Sequence, residues 1–248
     1  MSQNQAEICE LYYWQSLQGR GEFVRLILED TATPYIDVCR QPEAEGGGIS
    51  HIMAFRNGEK AGHPIFAPPI LKVGDVIINQ TPNICRFLGE RLGLVPNEEA
   101  ARLYANQIML TINDLLVAVH DTHHPVATNL YYEEQKEAAL ERAYHFHQER
   151  LPKLISYFEK VLAYNEGYTL VGKETSYVDL MMFQMLVGLN YAFPKSFQKV
   201  SPDIPRLLQL RDAVAQRPRI KAYLQSPRRI PFNENGIFRH YPELDLKD

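Results

Sequence analysis

Three histidines and an aspartate stand close together near the middle of the chain, in the segment HDTHHP at 120–125. Imidazole and carboxylate groups at this spacing could bind a transition metal, and His120 and His124 could share one helix face. The zinc motif HExxH is matched only in part, because the shorter Asp121 replaces its glutamate and Pro125 disfavours helical geometry at His124. We therefore predict no metal site and favour a helix C-terminus or the wall of a substrate pocket.

The polar pair Gln80-Thr81, directly in front of Pro82, is a second group with potential chemistry. Thr81 is predicted to cap a helix whose first residue is Pro82. Such a helix start offers unpaired N–H groups, a hydroxyl and the positive end of the helix dipole, which could together bind a ligand carboxylate. Residue types alone do not distinguish this role from a plain helix cap, which is the simpler interpretation.

The dipeptide Pro68-Pro69 precedes a predicted strand. A proline at such a position can hold a cis peptide bond and leave main-chain groups facing a ligand. The motifs GxGxxG, GxxxxGK[ST] and GxSxG do not occur in the sequence. The signatures of dinucleotide binding, of nucleoside triphosphate binding and of a serine nucleophile elbow are therefore missing.

Short alternating elements in the first third of the chain must position these groups. Runs rich in β-branched and aromatic residues predict strands, and apolar residues at helical spacing predict the helices between them. The predicted strands are 8–14, 34–38, 70–73 and 76–78, and the predicted helical segments are 22–31, 49–55 and 81–93. The predicted order is therefore β-α-β followed by β-β-α.

Strand signals nearly vanish after Gly93, and helical periodicity predominates. Predicted helices are a long one containing 104–119, others at 132–163 and 177–190, and short ones at 204–216 and 219–225. Pro152 is expected to bend the helix at 132–163. The helix at 177–190 is predicted to be buried and to begin with a capping box formed by Ser176 and Asp179. The tail from 226 to 248 carries too much apolar and aromatic surface for a solvated end, so we expect it to pack back. These patterns predict an α/β domain at 1–93 and an all-helical domain at 97–248.

Composition and charge narrow the class of protein. Apolar residues make up 45% and charged residues 23% of the 248 residues, which is typical of folded, soluble proteins. A net charge of −4 without a Lys/Arg run disfavours nucleic acid as a partner. The three separated cysteines favour reduced thiols, and neither a signal peptide pattern nor a membrane-span-length apolar run occurs. We therefore expect a cytoplasmic protein with no membrane partner.

Taken in order, these motifs resemble the cytosolic glutathione transferases of the tyrosine-type classes alpha, mu, pi and sigma, over essentially the whole chain. The matching places are Leu11-Tyr12-Tyr13-Trp14 with Gly19-Arg20 and Arg25-Leu26-Ile27-Leu28, Pro69-Ile70-Leu71, Gln80-Thr81, Asp114-Leu115, and Ser176 with Asp179 beside Leu170-Val171-Gly172. The resemblance implies a thioredoxin-like N-terminal domain followed by an all-helical domain, which agrees with the predicted elements.

The resemblance also implies roles for single residues. The Tyr13 hydroxyl would donate a hydrogen bond to the glutathione sulfur with the Arg20 cation nearby, so these are the candidate catalytic residues. The residues expected to bind glutathione are Pro68, Pro69, Gln80, Thr81 and Asp114. The family's second-substrate pocket lies between the domains, and its candidate residues here are His120, His123, His124, Phe232 and Phe238.

Two positions depart from the family pattern. The loop from Trp14 to Gly19 is one residue longer than in the tyrosine classes, and alignment without a gap would put Trp14, which has no acidic hydroxyl, at the catalytic place. We predict Tyr13 there, with Tyr12 on the opposite face of the strand. Pro68 lacks the N–H that this position normally offers to glutathione, which predicts a shifted or weaker pose.

The activity implied by the resemblance is conjugation of the glutathione thiolate to small hydrophobic electrophiles, a chemistry of the detoxification type. Glutathione would be the co-substrate, with no other cofactor, and the protein would be a homodimer. A glutathione-dependent isomerase or peroxidase, or a non-catalytic binding protein with this fold, stays open. A metal-dependent hydrolase centred on the histidine cluster is a further alternative, which metal analysis of the purified protein would test.

Overall fold

A four-stranded mixed sheet forms the first part of the computed structural model, which describes residues 7–165 and 167–246. The strands, in the spatial order β2-β1-β3-β4, are β1 Cys9–Tyr12, β2 Tyr35–Asp37, β3 Ile70–Val73 and β4 Val76–Asn79. β1 pairs in parallel with β2 and antiparallel with β3, and β3 pairs antiparallel with β4. With the helices α1 Gly21–Asp30, α2 Ser50–Arg56 and α3 Thr81–Arg91, this confirms the predicted β-α-β and β-β-α order.

Helices cover both faces of the sheet. On one face, α1 and α3 pack side by side, and their apolar residues join Leu11 and Leu71 in the main core. On the other face, a smaller core lies against α2 and contains Tyr12, Ile52 and Phe55. Successive strand side chains point to opposite faces, so Tyr12 belongs to the α2 side, as predicted.

The second part of the molecule is built from helices. They are α4 Glu99–His120, α5 Lys136–His145, α6 Leu151–Tyr164, α7 Tyr177–Ala192, α8 Pro194–Val200, α9 Pro205–Gln216 and α10 Pro218–Leu224. α7 is buried almost all round and packs against α1, α4 and α9. Its predicted capping box is confirmed, because the Asp179 carboxylate accepts from Ser176 N at 2.7 Å and from Ser176 Oγ at 2.6 Å. The domain limits 1–93 and 97–248 stay a prediction.

The single helix predicted for 132–163 is wrong. The segment contains a 3₁₀ turn at Tyr132–Glu134, then α5, a π-helical stretch at Phe146–Arg150 and α6. Pro152 stands in the first turn of α6, where its missing N–H is tolerated, and the wider π turns before it replace the expected proline bend. The sequence patterns also did not predict α8, a helix of seven residues that directly follows α7.

The tail packs back onto the body, as expected. Ile237 and Phe238 are buried, and the Phe238 ring lies against Gly188 of α7, where an added Cβ would be 2.5 Å from the ring. Near the chain end, the Asp245 carboxylate accepts hydrogen bonds from the backbone N–H groups of Lys195 and Ser196 at the start of α8. Within the described residues, no helix has the length and apolar character that crossing a membrane requires.

Candidate functional site

A cleft of about 360 Å³ opens between the sheet part and the helical part. It gathers residues from the end of β1, the loop after it, the end of α2, the turn before β3, the end of α4 and the tail. Its lining residues are Tyr13, Trp14, Arg20, Arg56, Phe66, Ala67, Pro68, His120 and Ile237. Of the predicted site residues, the structure brings together Tyr13, Arg20, Pro68 and His120 in this cleft.

Tyr13 follows the last residue of β1 and is 5% exposed. Its hydroxyl accepts a hydrogen bond from the backbone N–H of Arg20 at 2.9 Å. Gly19, with a φ of 40°, lies so close to this hydroxyl that a side chain there would collide with it. Burial raises the pKa of Tyr13 above its ordinary value, against the opposing effect of the Arg20 amide and guanidinium. The hydroxyl is therefore protonated at neutral pH and is available as a donor.

Arg20 connects the loop after β1 to α4 and to the start of α3. Its Nη1 donates to Oδ1 of Asn113 on α4 at 3.1 Å, and its carbonyl oxygen accepts from the Thr81 hydroxyl at 3.3 Å. Burial lowers the pKa of Arg20 from its ordinary value. Arg20 remains a cation at neutral pH, because a guanidinium is not deprotonated in proteins. Its charge lies at the edge of the cleft.

The start of α3 differs by one residue from the prediction. Thr81 is the first residue of the helix, and Gln80, not Thr81, occupies the capping position. Gln80 is exposed and has φ 70° and ψ 119°, a backbone conformation that glycine adopts and other residues rarely do. Thr81 is buried and directs its hydroxyl to Arg20 instead of to its own helix. The pair thus presents the free N–H groups of the helix start beside the loop that carries Arg20.

The turn before β3 contains a cis peptide bond between Pro68 and Pro69, as predicted. Pro69 is buried and continues directly into β3, whose residue Ile70 pairs with Tyr12 of β1. Pro68 is half-buried and lines the cleft. Its side of the turn offers a carbonyl acceptor to a ligand without a matching N–H donor.

The three histidines cluster at the end of α4, and only His120 among them lines the cleft described above. His123 is 1% exposed, and its Nε2 lies 2.8 Å from the carbonyl oxygen of Ile237 in the tail. Burial lowers the pKa of His120, lowers that of His123 to about 2 and lowers that of His124 to about 4, so the cluster is uncharged at neutral pH. Among the described residues, no set of three or more His, Cys, Asp or Glu is arranged to hold a metal ion.

The remaining predicted residues lie apart from this cleft. Asp114 is exposed on α4 and lines a second cleft of about 500 Å³ between α4 and the α5 and π-helical segments. Phe232 stacks on Tyr191 with ring centroids 4.6 Å apart, while Phe238 is buried against α7. Phe232 and Phe238 line a small neighbouring crevice. The tail residue that reaches the cleft is Ile237.

Sequence reasoning did not select Arg56, Phe66 or Asn113. Arg56 ends α2 and lines the cleft, and Phe66 is 84% exposed in the segment before the proline pair. An arginine at a helix end and an aromatic residue just ahead of Pro68 are the signals that could have indicated them. Asn113, the partner of Arg20, gives no such signal, because only the packing of α4 brings the two together.

Comparison with known proteins agrees with this architecture of a thioredoxin-like α/β part joined to a helical part. The family model described as the glutathione S-transferase C-terminal domain matches residues 120–227. The glutathione S-transferase of Plasmodium falciparum is 28% identical over 221 residues, which cover 86% of this chain and 93% of the relative. Glutathione S-transferase P 2 of Bufo bufo is 27% identical over 227 residues, which cover 89% of this chain and 95% of the relative.

Solved structures agree on the fold. The Pi-class glutathione S-transferase of Onchocerca volvulus superposes with a TM-score of 0.70 at 23% identity, covering 92% of this chain and 98% of that one. Prostaglandin synthase D of Nilaparvata lugens gives a TM-score of 0.69 at 19% identity, covering 90% and 100%. The helical part thus matches the C-terminal domain of the glutathione S-transferases, and the curated relatives that resemble this chain over most of its length carry that name.

Proposed function

We propose that this protein is a glutathione S-transferase that joins the glutathione thiolate to small electrophilic molecules. The observation that carries the proposal is the buried, protonated Tyr13 hydroxyl in the cleft between the two parts, held by the Arg20 amide at 2.9 Å. The curated relatives, which are named glutathione S-transferases, support conjugation over the isomerase, peroxidase and non-catalytic alternatives.

The chemical demand of this reaction is a thiolate at neutral pH. A thiol with a pKa of about 8.5 is only a few per cent ionised at pH 7. A hydroxyl that donates to the sulfur stabilises the anion, and a nearby cation adds to this effect. In this proposal Tyr13 supplies the hydroxyl and Arg20 supplies the cation. The thiolate sulfur then forms a bond to the electrophile, and the electron pair of the broken bond goes to the leaving group or, in an addition, to the atoms of the former π bond.

Glutathione itself would be held by the residues around the start of α3. Gln80 and the α3 N-terminus would bind the γ-glutamyl carboxylate, and the unusual backbone of Gln80 supports a ligand role for its exposed amide. The Pro68 carbonyl would accept from the cysteinyl N–H. Asp114 would pair with the γ-glutamyl ammonium of glutathione bound to a second copy of this chain, in a homodimer.

The electrophile would occupy the side of the cleft formed by Trp14, Phe66, His120 and Ile237. Its aromatic and apolar walls suit a small hydrophobic molecule, and the uncharged imidazole of His120 adds one polar group. His123 and His124 would support this wall from behind, and Phe238 would support Ile237. We place the activity in the cytoplasm, where the three separated cysteines would stay reduced.

Replacement of Tyr13 tests the proposal. Tyr13→Phe removes one hydroxyl, so we expect a loss of kcat of roughly tenfold to a thousandfold for a standard aromatic electrophile, with glutathione binding retained. Tyr12→Phe is the matched control, because the Tyr12 hydroxyl bonds to Glu10 on the other side of the strand. Equal activity of Tyr13→Phe and the parent protein, or a loss confined to Tyr12→Phe, would contradict the assignment.

A further inference from the structure

A chain of hydrogen bonds connects the loop beside Tyr13 to α7 and to the start of the tail. Gln184 of α7 is fully buried, and its Nε2 donates to Oε1 of Gln18 at 2.8 Å. Oε1 of Gln184 accepts from Nη2 of Arg229 at 3.0 Å. Gln18, which is 5% exposed, donates from its Nε2 to the carbonyl oxygen of Ile230. Both glutamine amides thus use a donor and an acceptor.

The two ends of this chain fix its direction. The guanidinium of Arg229 can only donate and the carbonyl of Ile230 can only accept, so each amide between them has one orientation that satisfies both neighbours. Because Arg229 and Ile230 are adjacent, the chain returns to its starting point and holds Gln18 between α7 and the tail. Glu22 of α1, which is fully buried, accepts from both Arg229 and Tyr223 and anchors the arginine.

Gln18 immediately precedes the residues that contact the Tyr13 hydroxyl. Gly19 packs against that hydroxyl, and the next residue, Arg20, donates its backbone N–H to it. A shift of Gln18 therefore moves the amide that orients and polarises the hydroxyl. Gln184 lies outside the cleft, so its effect on the hydroxyl must pass through Gln18 and this loop.

We propose that Gln184 and Gln18 are positioning residues, which hold the Arg20 amide against Tyr13 and so set how strongly Tyr13 stabilises the glutathione thiolate. The proposal rests on the proposed function, in which Tyr13 donates to the sulfur. The tail then has two roles. Its segment at Ile230 supports the thiolate site through Gln18, and Ile237 lines the electrophile side of the cleft.

Replacement of Gln184 tests the proposal. Gln184→Met removes both hydrogen bonds with little change in volume, while Gln184→Glu keeps the acceptor for Arg229 and loses the donor to Gln18. For both variants we expect the thiol pKa of bound glutathione, followed by thiolate absorbance against pH, to rise by roughly half a unit to one unit. The value of kcat/KM measured below neutral pH should fall roughly threefold to tenfold. Gln15→Met, in the same loop but exposed, is the matched control.

The same measurement in the Tyr13→Phe background separates the two proposals. If Gln184 acts through Tyr13, Gln184→Met causes no further rise of the thiol pKa in that background. Equal shifts in both backgrounds, or an unchanged thiol pKa in folded Gln184→Met and Gln184→Glu, would overturn the positioning role and leave the proposed function intact. An unchanged thiol pKa in Tyr13→Phe alone would instead overturn the role of Tyr13, and the positioning role with it.

Discussion

Gln80, in the proposed glutathione site, has a backbone conformation that costs stability. Its φ of 70° with ψ of 119° belongs to a region that a residue with a Cβ occupies at a cost of about 1–3 kcal/mol. The side chain is exposed, so core packing does not explain why a glutamine stands there. The proposed binding of glutathione through the Gln80 amide and the N–H groups of the following helix start would explain it.

Gln80→Gly should therefore separate stability from binding. Glycine relieves the backbone strain, so we expect the free energy of unfolding to rise by about 1 kcal/mol, while the KM for glutathione increases because the amide is lost. Gln80→Ala loses the same amide but keeps the strain, and should raise the KM without the gain in stability. Chemical denaturation and steady-state kinetics measure the two effects, and an unchanged KM in both variants would remove Gln80 from the site.

The buried histidine cluster makes stability depend on pH in a definite direction. His123 has a pKa of about 2 in the folded protein, because burial and the nearby Arg239, His120 and His124 disfavour its charged form, although the Ile237 carbonyl opposes this. The unfolded chain, with a histidine pKa of about 6.5, binds more protons between these values, so stability is lost as the pH falls below about 6.5. Unfolding therefore becomes easier in mild acid.

His123→Gln tests this pH dependence. Between pH 6.5 and pH 5 the parent protein should lose about 2 kcal/mol through His123, and the variant, which still offers a donor to the Ile237 carbonyl, should lose less by about that amount. Urea denaturation at several pH values gives the comparison. Parallel stability curves for the two proteins would mean that His123 takes up its proton at the same pH in the folded and unfolded states, which would contradict its lowered pKa.

At the scale of elements, periodicity predicted most helices and strands, and it failed where side-chain contacts decide the backbone. The apolar stripes of α1, α3 and α4 and the almost continuous apolar sequence of α7 are long enough to be recognised from sequence. The break at 132–135 is not, because the Gln135 side chain bonds to the backbone of Val126, Ala127 and Leu130 and ties the chain to the preceding loop. The hydrogen-bond chain through Gln18 and Gln184 was also unpredictable, since its members are far apart in sequence.

The contact between the tail and α7 depends on Gly188. The Phe238 ring occupies the space that a Cβ would need, so Gly188→Ala should displace the ring and lower the free energy of unfolding by about 1–3 kcal/mol. The neighbouring Ile237 would move with it, and the KM for the electrophile should change more than the KM for glutathione. The double variant Gly188→Ala/Phe238→Leu has a smaller side chain at 238, so it should recover part of the lost unfolding free energy and part of the change in the KM for the electrophile. A Gly188→Ala protein with parental stability and kinetics would show that the position of the tail does not depend on this contact.

For the whole molecule, the outer face of α4 indicates how two copies would meet. Leu103, Leu110 and Val117 recur every seven residues along this face and are 53%, 48% and 39% exposed. Asp114 lies on the same helix and lines the second cleft, beside α5. Glu149, Arg150 and Lys153 line this cleft as well. A surface with an apolar stripe and both signs of charge can complement itself across a two-fold axis, as most homodimers do.

Leu110→Glu should then convert the dimer to a monomer, because it places a charge in the middle of the apolar stripe. In the proposed dimer, Asp114 of one subunit pairs with glutathione bound to the other, so we expect the KM for glutathione to rise to the level of Asp114→Ala, and no further when both changes are combined. Light scattering gives the mass, and Val126→Glu, at another exposed apolar residue, is the control. If Leu110→Glu is a monomer with the parental KM for glutathione, the proposed dimer of the parent protein stands, but Asp114 has no role in the glutathione site. A parent protein that is itself monomeric would contradict the proposed dimer.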